Sequence, residues 1–314
     1  MEKKTKKRRS PRLVIQLAFT ALTNGYIAGF AQGKIYQGPS KQICVPGLNC
    51  YSCPGALGAC PIGSLQAVLA SRDFSFSFYV LGFLMAVGAL CGRLVCGFLC
   101  PFGLVQDLLY KIPLPKGWKL RRIRGERWLK YLKYAVLLVF VVLLPSFAVN
   151  IIGQGDPWFC KYICPSGTLM GGIPLVALGE GFRDAAGGLF QWKVMLLAAI
   201  AGLSVIYYRP FCRFICPLGA IYGAANPISF YRYQVVKERC THCGACARAC
   251  KLGIDPVKTP NSPECIRCGA CVRACPQRAL LPGLRLKRKS APACGGGCAA
   301  CGRCAQASSE NEAL

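Results

Sequence analysis

Residues Cys240–Pro276 read C-T-H-C-G-A-C-A-R-A-C, then fourteen residues, then C-I-R-C-G-A-C-V-R-A-C-P. Each run is C-x2-C-x2-C-x3-C, the spacing that ligates [4Fe-4S] clusters in two-cluster proteins. A cubane needs four thiolates converging from different directions, and a tight glycine-containing loop supplies three of them. The fourth Cys of each run serves the other cluster. One cluster is therefore expected on Cys240, Cys243, Cys246 and Cys275, the other on Cys265, Cys268, Cys271 and Cys250. Structural zinc is the rival, since C-x2-C pairs also build four-cysteine zinc sites. Two complete, matched runs favour clusters. The first run ends Cys250-Lys251 where the second ends Cys275-Pro276, a departure that removes no ligand.

Outside this stretch the chain is unusually apolar. Of 314 residues 54% are hydrophobic, with a mean hydropathy of +0.38. Lys and Arg number 39 against 12 Asp and Glu, a formal charge of +27. These charges sit in blocks beside apolar segments, a membrane pattern rather than a nucleic-acid one. The 23 Cys cluster at short spacings, so metal ligation explains them better than a disulfide framework.

Residues 1–12 form a basic tail. Apolar spans are expected at 13–32, 76–97, 134–152 and about 192–208, each near the ~20 residues that cross a bilayer core. A cleaved leader is the rival for the first, with Arg8-Arg9 inviting a twin-arginine reading, but no clear A-x-A site follows. The loop 111–133 carries nine Lys and Arg and is placed in the cytoplasm by the positive-inside rule. Both termini then lie in the cytoplasm, in a multi-pass protein of the cytoplasmic membrane. Trp118, Trp128, Trp158 and Trp192 lie near span ends, as an aromatic belt.

The loops repeat. Cys60-Pro61-Ile62-Gly63, Cys100-Pro101-Phe102-Gly103, Cys164-Pro165-Ser166-Gly167 and Cys216-Pro217-Leu218-Gly219 share C-P-x-G. By the expected topology they alternate outside, inside, outside, inside, so residues 13–111 and 134–230 are two copies of one unit. Repeat symmetry would bring the two inner motifs together, and likewise the two outer ones. At the inner face Cys96-x3-Cys100-Pro and Cys212-x3-Cys216-Pro each project two thiols from one side of a helical turn. Together they supply four, the count for one cluster. Buried apolar Cys is the bland alternative, and a reactive dithiol a second one. Cys91, one turn and more deeper, reads as filler. At the outer face Cys53, Cys60, Cys160 and Cys164 are assigned to a second membrane cluster. Cys44 and Cys50 are left as a thiol pair able to cycle as a disulfide. Three structural disulfides are the alternative for all six.

The fold expected is a membrane all-α protein, four transmembrane helices in two parallel repeats, plus a small α+β two-cluster ferredoxin module. Its divisions are the tail 1–12, a transmembrane domain 13–230, the ferredoxin domain 231–282 and a Cys-rich tail 283–314. In that last tail Cys294, Cys298, Cys301 and Cys304 can bind a further cluster or zinc. The cofactor count is two [4Fe-4S] clusters at least and up to five. His242 is the single His, which excludes bis-His haem, and no nucleotide-binding motif is present.

The chain resembles the membrane-bound polyferredoxins of the NapH/MauN type. The resemblance rests on Cys96-Gly-Phe-Leu-Cys100-Pro101, Cys212-Arg-Phe-Ile-Cys216-Pro217 and the two-cluster run at Cys240–Pro276. With the spans, it covers most of residues 76–280. The outer segment Cys44-Val-Pro-Gly-Leu-Asn-Cys50-Tyr-Ser-Cys53-Pro-Gly is similar to a subgroup described simply as 4Fe-4S binding proteins. Membership implies electron transfer. Related proteins serve quinol oxidation, nitrous oxide reductase maturation and copper handling. The first expectation for this chain is a transmembrane electron conduit, fed by a cytosolic ferredoxin or flavoprotein. It would deliver to an extracytoplasmic acceptor such as a thioredoxin-like protein, with no nucleic-acid partner. The second is a quinol dehydrogenase subunit binding quinone near Cys96–Cys216. The third is a metal-delivery or assembly factor.

Overall fold

The computed structural model describes residues 11–71, 78–115, 118–120, 123, 125–148, 155–179, 181, 183 and 187–284. Cys294, Cys298, Cys301 and Cys304 lie outside them.

Over these residues the chain is mostly helical: α1 Arg12–Thr23, α2 Ile27–Gln32, α3 Pro61–Ala70, α4 Phe78–Cys91, α5 Leu94–Phe98 and α6 Pro101–Leu109. The long α7 Glu126–Phe147 follows, then α8 Pro165–Leu178 and α9 Gly188–Ile206. The series closes with α10 Pro210–Phe214, α11 Pro217–Ala225, β1 Tyr231–Val235, α12 Ala245–Ala249, α13 Ala270–Ala274 and β2 Leu280–Leu284. The two strands pair antiparallel, Tyr231 opposite Leu284 and Val235 opposite Leu280. They frame α12 and α13 as a small α+β unit.

Two helices, α7 and α9, are long and apolar enough to cross a membrane. Only 22% and 17% of their most apolar stretches are buried. Leu138, Val139, Leu143, Phe147, Met195 and Leu203 face outward, an exposed apolar surface of the kind that suits a membrane span. The first expected span, 13–32, is not one helix. It breaks at Asn24 into α1 and α2. The second, 76–97, is helical as α4 and then turns at Gly92, where φ is +51°, before α5. Each half is shorter than the ~20 residues a straight crossing needs.

Four elements begin the same way. Helices α3, α6, α8 and α11 each start at the Pro of C-P-x-G, with the Cys as the residue before the first turn. Proline suits that position because its missing N–H would have no partner there. Packing then gathers the four starts. Helix α6 lies against α1 and α9, α11 against α4 and α7, α3 against α4 and α7, and α8 against α9. The core cluster accordingly contains Cys44, Cys96, Cys100, Cys164, Cys212 and Cys216.

Candidate iron-sulfur centres

The C-P-x-G motif explains itself locally. Cys100 Sγ accepts from Gly103 N–H at 3.4 Å, Cys164 Sγ from Gly167 at 3.4 Å and Cys216 Sγ from Gly219 at 3.4 Å. Cys60 faces the Gly63 N–H in the same way. Each sulfur thus sits on the open first turn of its helix, where unsatisfied N–H groups favour negative charge.

Two quartets result. Cys96, Cys100, Cys212 and Cys216 lie within electrostatic reach of one another, the set expected at the inner face. The other quartet differs from expectation by one residue. Cys160, Cys164 and Cys60 stand with Cys50, not with Cys53. A β-carbon at Gly171 would meet Cys50 Sγ at 3.3 Å and one at Gly167 would meet it at 3.6 Å, so Cys50 is seated on α8. Cys53 is 2% exposed and lies within electrostatic reach of Cys50 and Lys41, but is not among the groups that act most strongly on Cys160 and Cys164. Its N–H closes a turn on the Cys50 carbonyl at 3.1 Å. The reason is the fold of the 44–60 loop, where Ala59 returns beside Cys44 in a parallel bridge, bonded to Ile43 and Val45. Spacing counted along the sequence cannot see that return of the chain. Cys44 and Cys50 are therefore not a spare pair: Cys44 donates to Ser64 Oγ at 3.8 Å, while Cys50 belongs to the quartet. No disulfide joins any described cysteine.

Two glutamines, absent from the sequence reading, complete the quartets. Gln106 Nε2 donates to Cys212 Sγ at 3.0 Å and Gln66 Nε2 to Cys160 Sγ at 3.2 Å. Each stands six residues after its Cys, in C-P-x-G-x2-Q, a signal that comparison of the four motifs could have found. Burial pushes the Cys60, Cys100 and Cys212 thiols up to about 11 and Cys164 to about 12. Iron binding must therefore displace protons here. Among the described residues no three His, Cys, Asp or Glu side chains close around a single metal ion. Zinc holds its sulfurs about 2.3 Å from one centre. A cubane spreads four thiolates over separate irons, and the donor sets here, all-thiol with N–H groups aimed at sulfur, fit that wider group.

In the α+β unit the crossed assignment matches the placement. Cys240, Cys243, Cys246 and Cys275 line one cavity of about 170 Å³, and Cys250, Cys265, Cys268 and Cys271 line another. Each loop uses two left-handed residues two apart: His242 at φ 52° with Gly244 at 68°, and Arg267 at 53° with Gly269 at 72°. This curls the backbone N–H groups around the thiols as an anion-binding concavity. His242 is thus a backbone residue of the loop. The Cys250-Lys251 departure has a use. Lys251 Nζ lies 5.2 Å from the Tyr110 ring and 5.3 Å from the Tyr208 ring, tying the unit to α6 and α9. Cys91 joins neither quartet, and its carbonyl accepts from Arg267 Nη1 at 2.8 Å.

The sites are adjacent. Gly97, beside Cys96, touches Ile266, beside Cys265. A β-carbon at Gly47 would stand 3.0 Å from Cys100 Cα, and Cys50 follows three residues later. Three residues of extended chain reach at most about 11 Å, so Cys100 and Cys50 are within about 15 Å between Cα atoms. Tyr222, fully buried, lies within electrostatic reach of Cys96 and Cys100 and also of Cys60 and Cys44.

Comparison with known proteins bears on these sites. Two families described as 4Fe-4S binding domains match, one over residues 73–125, 134–175 and 190–230, the other over 233–254 and 260–281. An uncharacterized protein of Methanocaldococcus jannaschii is 28% identical over 170 residues, 52% of this chain and 54% of the relative. The methylamine utilization ferredoxin-type protein MauN of Methylorubrum extorquens is 30% identical over 173 residues, 54% of this chain and 50% of the relative. The ferredoxin-type protein NapH of Haemophilus influenzae is 24% identical over 189 residues, 58% and 56% of the two chains. The chain spans about half the length of the curated relatives it matches. No solved structure matches it.

Proposed function

We propose that this chain, a 4Fe-4S polyferredoxin of the NapH/MauN type, carries electrons between a redox partner at its ferredoxin module and an acceptor at the Cys50–Cys164 end. It would do so across the cytoplasmic membrane, through four apolar segments arranged as two repeats with both termini cytoplasmic. [4Fe-4S] clusters, when bound, supply single-electron carriage at each thiol quartet. The chain's own residues hold the quartets and keep them close. Cys240, Cys243, Cys246 and Cys275 would hold one cluster, and Cys265, Cys268, Cys271 and Cys250 the next. Cys96, Cys100, Cys212 and Cys216 would hold a third, and Cys50, Cys60, Cys160 and Cys164 a fourth. The observation that carries this reading is adjacency. The Gly97–Ile266 contact joins the module to the inner quartet, and the Gly47–Cys50 segment joins the inner quartet to the outer. Neither step approaches the ~30 Å of a bilayer core, so the two quartets would lie within the thickness of the membrane and not at its opposite faces as expected from the sequence. The donor would be a cytosolic ferredoxin or flavoprotein. Iron and sulfide quantification with EPR tests the reading. Cys96→Ser and Cys50→Ser should each remove one cluster signal, and a Cys96→Ser variant that keeps every signal would overturn it.

One observation favours a second reading, a quinol-oxidising subunit. A cavity of about 1020 Å³ borders Cys50, Cys60, Cys160 and Cys164. That is the size of an organic ligand site, placed at the outer quartet rather than near Cys96–Cys216. Anaerobic mixing with a short-chain quinol decides it: reduction of the Cys50-dependent signal supports quinol entry, and no reduction excludes it.

A further inference from the structure

Two arginines outside every thiol set occupy equivalent places. Arg93 stands three residues before Cys96 and Arg209 three before Cys212, giving R-x2-C-x3-C-P twice. Each is 1% exposed, and each crosses to the opposite motif. Arg93 Nη2 donates to the Cys212 carbonyl at 2.7 Å. Arg209 Nη1 donates to the Cys96 carbonyl, and its Nη2 to the Gly103 carbonyl at 3.0 Å. The exchange is reciprocal down to the glycine. A β-carbon at Gly219 would meet Arg93 Nη2 at 3.1 Å, and one at Gly103 would meet Arg209 Nη2 at 3.0 Å. At the outer quartet the position three before Cys160 is Pro157, and the cation there comes from elsewhere: Lys193 Nζ donates to the Cys160 carbonyl at 3.2 Å.

A buried guanidinium needs a counter-charge, and here the two come from different places. Arg209 takes Asp107 of α6, Nε to Oδ1 at 2.9 Å and Nη2 to Oδ2 at 2.5 Å. Arg93 takes Glu264, in the ferredoxin module just before Cys265, with Nη1 to Oε2 at 2.9 Å and a second bond to the Pro263 carbonyl at 2.9 Å. Glu264 also takes Lys133 Nζ, itself fully buried, so the counter-charge to both Arg93 and Lys133 comes from the module.

We propose that Arg93 and Arg209 are positioning residues that lash the two inner thiol loops together crosswise and raise the reduction potential of the site they form, and that Glu264 makes this potential depend on the docked module. The inference rests on the reading of Cys96, Cys100, Cys212 and Cys216 as one ligand set. Its physical basis is that a fixed positive charge stabilises the more negative, reduced state, more strongly in a buried site than in water.

Potentiometric EPR on the purified full-length holoprotein tests it, with iron content measured alongside. The inner signal is identified as the one lost in Cys96→Ser. Arg93→Gln should move that signal to a more negative midpoint with iron unchanged, and Arg93→Lys should return it toward the wild type. Glu264→Gln should move it the other way, to a more positive midpoint. A purely structural arginine would leave the midpoint in place. If Arg93→Gln loses iron, Glu264→Gln decides alone. An unmoved midpoint in the iron-replete variants, or shifts of one sign in Arg93→Gln and Glu264→Gln, overturns the proposal. Retention of every signal by Cys96→Ser overturns instead the ligand reading beneath it.

Discussion

Gly97 lies against the main-chain carbonyl of Ile266 so closely that no side chain fits between them. Backbone faces backbone, and neither can swing aside as a flexible side chain would. This contact sets the ferredoxin module on the inner quartet, with Asn226 and Arg267 pinning its edges. Gly97→Ala should therefore lift the module, costing about 1–3 kcal/mol of docking. Hydrogen exchange over residues 231–282 is expected to speed up while the two module clusters keep their EPR signals. Unchanged exchange in that segment would show the contact to be dispensable.

Cys50 and Cys53 lie three residues apart, yet only Cys50 stands with Cys60, Cys160 and Cys164. Cys50→Ser should lose one cluster of four irons, and Cys53→Ser none. Iron per chain reads the difference directly. The reverse result would restore the pairing expected from sequence spacing.

Gln66 and Gln106 each give an N–H to a thiol. Hydrogen bonds to sulfur stabilise the reduced cluster and raise its potential. Gln66→Leu should move the outer signal to a more negative midpoint and leave the inner one alone, and Gln106→Leu should do the converse. If either substitution shifts both signals equally, the two quartets are not separate sites.

Burial pushes the Asp107 carboxyl up, but Arg209 and then Arg12 outweigh it and hold it down at about 2, below its ordinary 3.8. A depressed carboxylate contributes stability that is fully present above its unfolded pKa. That contribution is lost as the pH falls through the folded value. Asp107→Asn should thus cost about 3 kcal/mol by leaving Arg209 buried without its partner. The cost should be the same at pH 8 and pH 5. Thermal unfolding at pH 5 and at pH 3 checks this: the cost should be smaller at pH 3, between the unfolded and folded values, and a cost that stays the same from pH 5 to pH 3 would mean Asp107 titrates near its ordinary value.

Sequence alone was most informative where chemistry fixes spacing. The two C-x2-C-x2-C-x3-C runs suggested crossed partners on the precedent of two-cluster proteins, and each crossed set lines its own cavity. The C-P-x-G repeats and the C-x3-C pairs around them pointed to two further thiol sets, and seven of the eight cysteines that the structure gathers were among those singled out for them. The spans were legible less well. Hydropathy marked 13–32 and 76–97 as continuous, but the chain breaks at Asn24 and turns at Gly92, and composition does not record where a helix bends.

Sequence thus determined which residue types can ligate iron, since that depends on side-chain chemistry and on loops a few residues long. Tertiary structure decided which loops meet: Cys50 rather than Cys53, Gln66 on Cys160, Arg93 across to Cys212 and on to Glu264. Those choices join residues on average more than a hundred positions apart, and only the packing of helices against one another brings such positions together.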